Sequence, residues 1–176
     1  MSIVKSVSMA CNISSLLETR AIAKFLAEKC RPGDCIMLSG KIGTGKTQFA
    51  RSFIQSYTSI SELEVPSPTF VFDMQYTFGG NTIHHMDLYR LASRDSIGFL
   101  DLERSFRTGI CLVEWPERLG DNKPAHRLDI NISDSFETKN AEVRFLQLQG
   151  FGERWSEVLH EMSDRYRIPL ANTSED

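Results

Sequence analysis

Between Met37 and Ala50 the chain reads MLSGKIGTGKTQFA. Gly40, Gly45, Lys46 and Thr47 complete the pattern G-x-x-x-x-G-K-[ST], with a further glycine at Gly43. Each residue type has a task in holding a polyphosphate. Glycines admit positive φ and let the backbone approach a ligand closely. Successive N–H groups then form an anion nest at the positive end of the following helix. Lys41, Ile42 and Thr44 contribute mainly backbone N–H groups, and Gln48 closes the nucleotide-binding stretch. Lys46 would bring a point charge to the β- and γ-phosphates, and the Thr47 hydroxyl would ligate Mg²⁺.

Two carboxylates stand where such a ligand needs them. In GICLVEWPER four apolar residues, Ile110 to Val113, carry Glu114 to the C-terminal end of a strand. Ligands of open α/β sheets sit at that edge. A glutamate there can hold Mg²⁺ through water or orient an attacking water. The plainer alternative is an ion pair with Arg118. In HHMDLYR a second strand ends in Asp87. Strand alternation puts Ile83, His85 and Asp87 on one face and His84 and Met86 on the other. Asp87 would be a second Mg²⁺ carboxylate, with a transition-metal site built on His85 and Asp87 as the weaker option.

VPSPTF lies between these stretches. A threonine in that interval can sense a γ-phosphate and release on hydrolysis. Ser67 and Thr69 are the candidates, stiffened by Pro66 and Pro68; a plain proline-rich connector is the alternative. Guanine recognition would want N-K-x-D, and DNKPAH has Ala125 in the aspartate position. DSIG (Asp95 to Gly98) follows RLASR rather than an apolar strand. ATP is therefore the expected nucleotide. Arg90 and Arg94, four apart, could form the lid of a small-metabolite kinase, or could simply be solvated.

These residues need a scaffold of alternating strands and helices. Ser15 to Lys29 predicts a helix, opened by the capping box SLLE. RPGD ends it, CIMLSG reads as a buried strand and KTQFARSFIQSY as a helix. FVFDMQY and TIHHMD predict a hairpin about TFGGN. SIGFLDLERSF reads as a short helix and GICLVEW as an apolar strand. RLDINIS and AEVRFLQLQ alternate as half-buried antiparallel strands do. GERWSEVLHEM closes the pattern as an amphipathic helix, with residues 170–176, including ANTSED, read as a frayed tail. The sum is an α/β fold with a mixed sheet.

At 176 residues the chain fits one domain, 1–176. A net charge of −3 without a basic run argues against autonomous binding to a polyanion. The four cysteines make no C-x-x-C pair, so neither zinc nor a disulfide framework is expected. No stretch approaches the ~20 apolar residues of a membrane span. A soluble intracellular protein is the expectation.

GKIGTGKTQF, SPTF, HHMDLYRL and LVEWPER occur in the order, and at about the spacing, of the TsaE (YjeE) family. The chain resembles that family from about Pro32 to Arg118, and the N-terminal helix fits as well. Its members are small bacterial P-loop ATPases. They work with TsaB and TsaD proteins to make threonylcarbamoyladenosine on transfer RNA, next to the anticodon. The resemblance implies a single-domain P-loop NTPase fold, a mixed central sheet flanked by helices, and a cytoplasmic ATPase using ATP and Mg²⁺. It implies the TsaD–TsaB complex as partner, with tRNA reached only through that complex and no membrane. By motif, it makes Lys46 the phosphate lysine and Thr47 a metal ligand. Asp87 becomes a functional carboxylate near the metal, and Glu114 the Walker B-like acid. Trp115 lies beside the nucleotide, and Thr69 is the favoured sensor of the SPTF loop. Lys41, Ile42 and Thr44 depart from the family's usual acidic residue, leucine and alanine. Past Arg118 no motif transfers. A small-metabolite kinase and a non-hydrolysing nucleotide-binding adaptor are the rival functions. With no arginine finger assignable, turnover of the chain alone should be slow.

Overall fold

In the computed structural model, which describes residues 6–91, 98, 100–135 and 143–173, the apolar runs become the middle of one sheet. The elements are β1 (Ser6–Ile13), α1 (Leu16–Lys29), β2 (Cys35–Ser39), α2 (Lys46–Thr58), β3 (Asp73–Phe78), β4 (Asn81–Asp87) and α3 (Leu102–Thr108). They continue with β5 (Ile110–Glu114), a 3₁₀ stretch at Pro116–Asn122, β6 (Arg127–Asp134), β7 (Arg144–Phe151), α4 (Glu153–Tyr166) and β8 (Leu170–Thr173). The sheet order is β3-β4-β5-β2-β6-β7-β1-β8. β4, β5, β2 and β6 run parallel, and the flanking pairs are antiparallel. This is the expected α/β fold with a mixed, helix-flanked sheet.

Burial explains the sequence patterns. α1, α2 and α4 contribute to a core that Phe25, Leu26, Phe49, Phe53, Trp155 and Leu159 build with the strands. On the other face a smaller cluster of Cys35, Met37, Met86, Cys111 and Val113 packs with Leu102 of α3 and Leu119. β5 is thus buried along its whole length and β2 nearly so, which is why both read as unbroken apolar runs. The smaller cluster takes no residue from β6, β7 or β1. Those strands alternate between buried and more exposed positions.

Local signals hold at several ends. Ser15 caps α1 by accepting the Glu18 N–H at 3.2 Å. Glu18 returns its carboxylate to the Ser14 N–H at 2.6 Å, one residue earlier than a standard capping box. The hairpin turns at Gly79 and Gly80, whose φ values of 58° and 81° suit a two-residue turn.

Other expectations are corrected. Leu170–Thr173, read as part of a frayed tail, pairs antiparallel with Ser6–Met9, so the backbone of β1 finds a second partner there; residues 174–176 lie outside the described residues. The N-terminal stretch, given no element, is β1: Val7, Met9, Cys11 and Ile13 turn inward at period two. The hairpin's first strand begins at Asp73 rather than Phe70, because Val71 and Phe72 donate to the Pro68 carbonyl in a turn. Of the short helix read over SIGFLDLERSF, the described part is α3 from Leu102, capped by Asp101, while Ser96, Ile97 and Phe99 lie outside the described residues. Arg94 and the first three residues of DSIG lie outside the described residues.

Candidate functional site

The parallel strands deliver their C-terminal ends to one edge. Leu38 registers with Glu114, and Glu114 with Asp87. The phosphate loop leaves β2 at that edge and enters α2 through Gly45, whose left-handed φ of 106° comes with no side-chain cap. The first-turn N–H groups of such a helix have no intrahelical partner and sit at its positive end.

A cleft of about 270 Å³ opens there, lined by Ile42, Gly43, Lys46, Thr47, Ser67, Thr69, Asp87, Glu114 and Trp115, together with Tyr89 and Arg90. Residues read separately from four stretches of sequence thus share one hollow. Gly43 also borders a groove of about 550 Å³ that continues past Thr44 and Gly45 to Ile13, Leu16, Thr19 and Arg144. Gly40 is packed at the end of β2, where an added Cβ would come within 2.2 Å of the Ile132 carbonyl oxygen. Lys41 is exposed. Gln48 turns along α2, donating to Ser52 and accepting from Arg51, and is not among the residues lining the cleft.

Lys46 is buried and folds back on the loop, donating to the carbonyls of Gly40 and Lys41 at 2.8 Å each. Its Nζ also lies 4.1 Å from the centre of the Trp115 ring. Burial lowers the Lys46 ammonium pKa from its ordinary value, and Glu114, Asp87 and Glu117 act in the opposite direction. Trp115 holds a left-handed backbone, φ 60°, and its ring meets Tyr89 at 4.9 Å. Arg90 stacks on Phe70 of the SPTF loop at 4.3 Å, and Phe70 is 78% exposed.

The carboxylates are almost fully buried, Glu114 at 2% exposure and Asp87 at 3%. Buried charges need partners, since an uncompensated one is strongly destabilising. Glu114 accepts from the Thr47 hydroxyl at 3.0 Å and bonds Nε2 of His85 at 2.9 Å. Arg118, weighed as its partner from sequence, is exposed. Asp87 accepts from Thr69 at 2.5 Å, from Ser67 at 3.1 Å and from the Tyr89 N–H at 3.0 Å.

Two carboxylates and a hydroxyl on one wall form a hard-oxygen donor set. That chemistry fits Mg²⁺, which keeps waters and takes one or two carboxylates plus phosphate oxygens. Among the described residues no group of three His, Cys, Asp or Glu is placed to hold a metal, so the His85–Asp87 transition-metal option has no third ligand.

From sequence His85 was weighed only as a transition-metal ligand and Arg90 only as part of a kinase lid, and Tyr89 was given no role; all three stand at the site. Alternation already put His85 on the face of Asp87. Nothing in the periodicity placed Tyr89, which follows the strand end and meets Trp115 only through the pairing of β4 with β5. Among the described residues no helix is long and apolar enough to cross a membrane.

The model of the family described as "Threonylcarbamoyl adenosine biosynthesis protein TsaE" matches residues 13–142. The tRNA threonylcarbamoyladenosine biosynthesis protein TsaE of Bacillus subtilis is 35% identical over 147 residues, covering 83% of this chain and 88% of the relative. Its counterpart in Streptomyces coelicolor is 34% identical over 140 residues, covering 78% and 93%. The crystal structure of YdiB from Bacillus subtilis superposes with a TM-score of 0.75 at 29% identity, covering 94% of this chain and 99% of the other. With a cleft built from the phosphate loop, SPTF, DLYR and LVEW, and a family match spanning most of its length, the chain belongs to the TsaE family.

Proposed function

We propose that this protein is the ATP-binding and ATP-hydrolysing subunit that supports threonylcarbamoyladenosine modification of tRNA next to the anticodon. It acts in the cytoplasm with TsaB and TsaD proteins and reaches tRNA only through their complex. The observation that carries this reading is the single cleft in which Lys46 and Thr47 meet Asp87, Glu114 and the SPTF loop.

Lys46 and the loop N–H groups hold the β- and γ-phosphates, and the groove past Gly43–Gly45 has room for the nucleoside. Thr47, Asp87 and Glu114 hold Mg²⁺, which supplies charge neutralisation at the phosphates. Glu114 orients the attacking water. Ser67 and Thr69, now on Asp87, exchange partners when the γ-phosphate arrives or leaves, and the loop shifts with them. The net charge of −3 accords with a subunit that does not grip tRNA itself.

The test is phosphate release from ATP, with and without the TsaB–TsaD complex and with small-molecule acceptors added. Release that rises with the complex is expected. Transfer to a soluble acceptor regardless of the complex would make the protein a kinase. No release under any condition would make it a nucleotide-binding adaptor.

A further inference from the structure

We infer that His85 is a positioning residue whose ring fixes the rotation of the Glu114 carboxylate. The inference deepens the proposed function and rests on Glu114 being the hydrolytic acid.

His85 lies on β4 at 0% exposure, paired in register with Leu112 of β5. Ile83, Ile110 and Leu112, on the same side of the sheet, are also fully buried. Into this apolar wall the ring brings two nitrogens. Nε2 lies 2.9 Å from Oε1 of Glu114, while Nδ1 is buried with no hydrogen-bond partner. With the hydrogen on Nε2 the ring donates to this oxygen, and Nδ1 finds no partner of its own. A leucine would fill such a site with no orphaned atom. Packing alone therefore does not account for a histidine here; the donor aimed at Glu114 does.

The bond has a directional consequence. Oε1 is held by His85 on β4, so Oε2 is turned to Thr47 at the start of α2. When the Thr47 hydroxyl turns to a ligand in the cleft, Oε2 loses its donor. His85 then remains as the carboxylate's anchor, and Glu114 keeps its aim. Loss of that anchor should impair the chemical step without weakening the hold on nucleotide, which belongs to the loop and Lys46.

Three variants separate positioning from packing. The amide nitrogen of Gln reaches about as far as Nε2, and that of Asn about as far as Nδ1. Turnover is read as phosphate release in the presence of the TsaB–TsaD complex, and ATP affinity by calorimetry. His85→Leu and His85→Asn should lower kcat by roughly tenfold to a hundredfold with Kd for ATP unchanged. His85→Gln should restore most of the rate. In a Glu114→Ala background, His85→Leu should cost nothing further. If the leucine variant does not fold, the Asn–Gln pair decides alone. Wild-type turnover in the leucine variant, or equal losses in Asn and Gln, would overturn the inference. An absence of phosphate release from the wild-type protein with its complex would instead sink the ATPase reading, and this inference with it.

Discussion

Thr69 donates its hydroxyl hydrogen to Asp87 at 2.5 Å, and Ser67 approaches the same carboxylate oxygen at 3.1 Å. The SPTF loop is thereby latched to the end of β4. A hydrogen bond to a charged group contributes about 1.5–3 kcal/mol, enough to hold a short loop in one arrangement. Loss of both hydroxyl contacts should therefore loosen the loop, and with it Phe70, on which Arg90 stacks.

Removing the latch should be visible without nucleotide. In the double variant Ser67→Ala, Thr69→Val the amides of Val71 and Phe72, both bonded to the Pro68 carbonyl, should exchange with solvent roughly tenfold faster or more. The measurement is hydrogen exchange by mass spectrometry on peptides spanning 66–72. Unaltered protection would show that the turn, not the hydroxyl contacts, holds the loop.

The glycines of the phosphate loop should not be equivalent. A Cβ on Gly40 meets the Ile132 carbonyl oxygen at 2.2 Å and the Thr44 hydroxyl at 2.7 Å, at a φ of 140°. A Cβ on Gly43 meets nothing within 4 Å and carries only the strain of a φ of 83°, on the order of 1–2 kcal/mol. Gly40→Ala should therefore abolish ATP binding and lower the melting temperature markedly, while Gly43→Ala keeps measurable binding. Calorimetric titration with ATP, beside thermal melts, compares the two.

Glu114→Ala should separate binding from chemistry. Thr47 and His85 both lose a partner, but the loop and Lys46 do not touch the removed carboxylate through any of their own bonds to Gly40 and Lys41. ATP affinity should stay within about threefold while phosphate release falls by about a hundredfold or more. Turnover like the wild type in this variant would remove Glu114 from the mechanism.

The candidate site was largely legible in the sequence because its parts are local. The loop glycines, Lys46 and Thr47 form one contiguous motif, and Glu114 follows four apolar residues that had to form a buried strand. Asp87 was placed by the same logic. What escaped depends on pairing between distant strands. The bond from His85 to Glu114 exists because β4 and β5 run parallel with His85 beside Leu112 and Asp87 beside Glu114. A shift by one residue would turn His85 to the other face. β1 was missed although Val7, Met9, Cys11 and Ile13 alternate with Ser8, Ala10 and Asn12 as a half-buried strand does. β8 escaped because a four-residue edge strand carries little pattern of its own, and its order comes from the backbone of β1.

Lys46 supplies a prediction on pH. Burial lowers its pKa, with Glu114, Asp87 and Glu117 only partly offsetting the effect, so the folded protein releases this proton below the ordinary 10.5. Below the folded value the lysine is charged in both states, and burial of the charge counts against the native state in full. Between the folded value and 10.5 the unfolded chain binds more protons, so stability from this residue rises with pH. Lys46→Met lacks the titration while keeping the length of the side chain. The difference in urea midpoint, wild type minus Lys46→Met, should therefore climb in favour of the wild type as pH approaches 10.5 from below. ATP affinity should move the other way over the same window, falling as the ammonium that meets the phosphates is lost. A midpoint difference that stays flat while affinity holds steady would mean that Lys46 is solvated as an ordinary surface lysine.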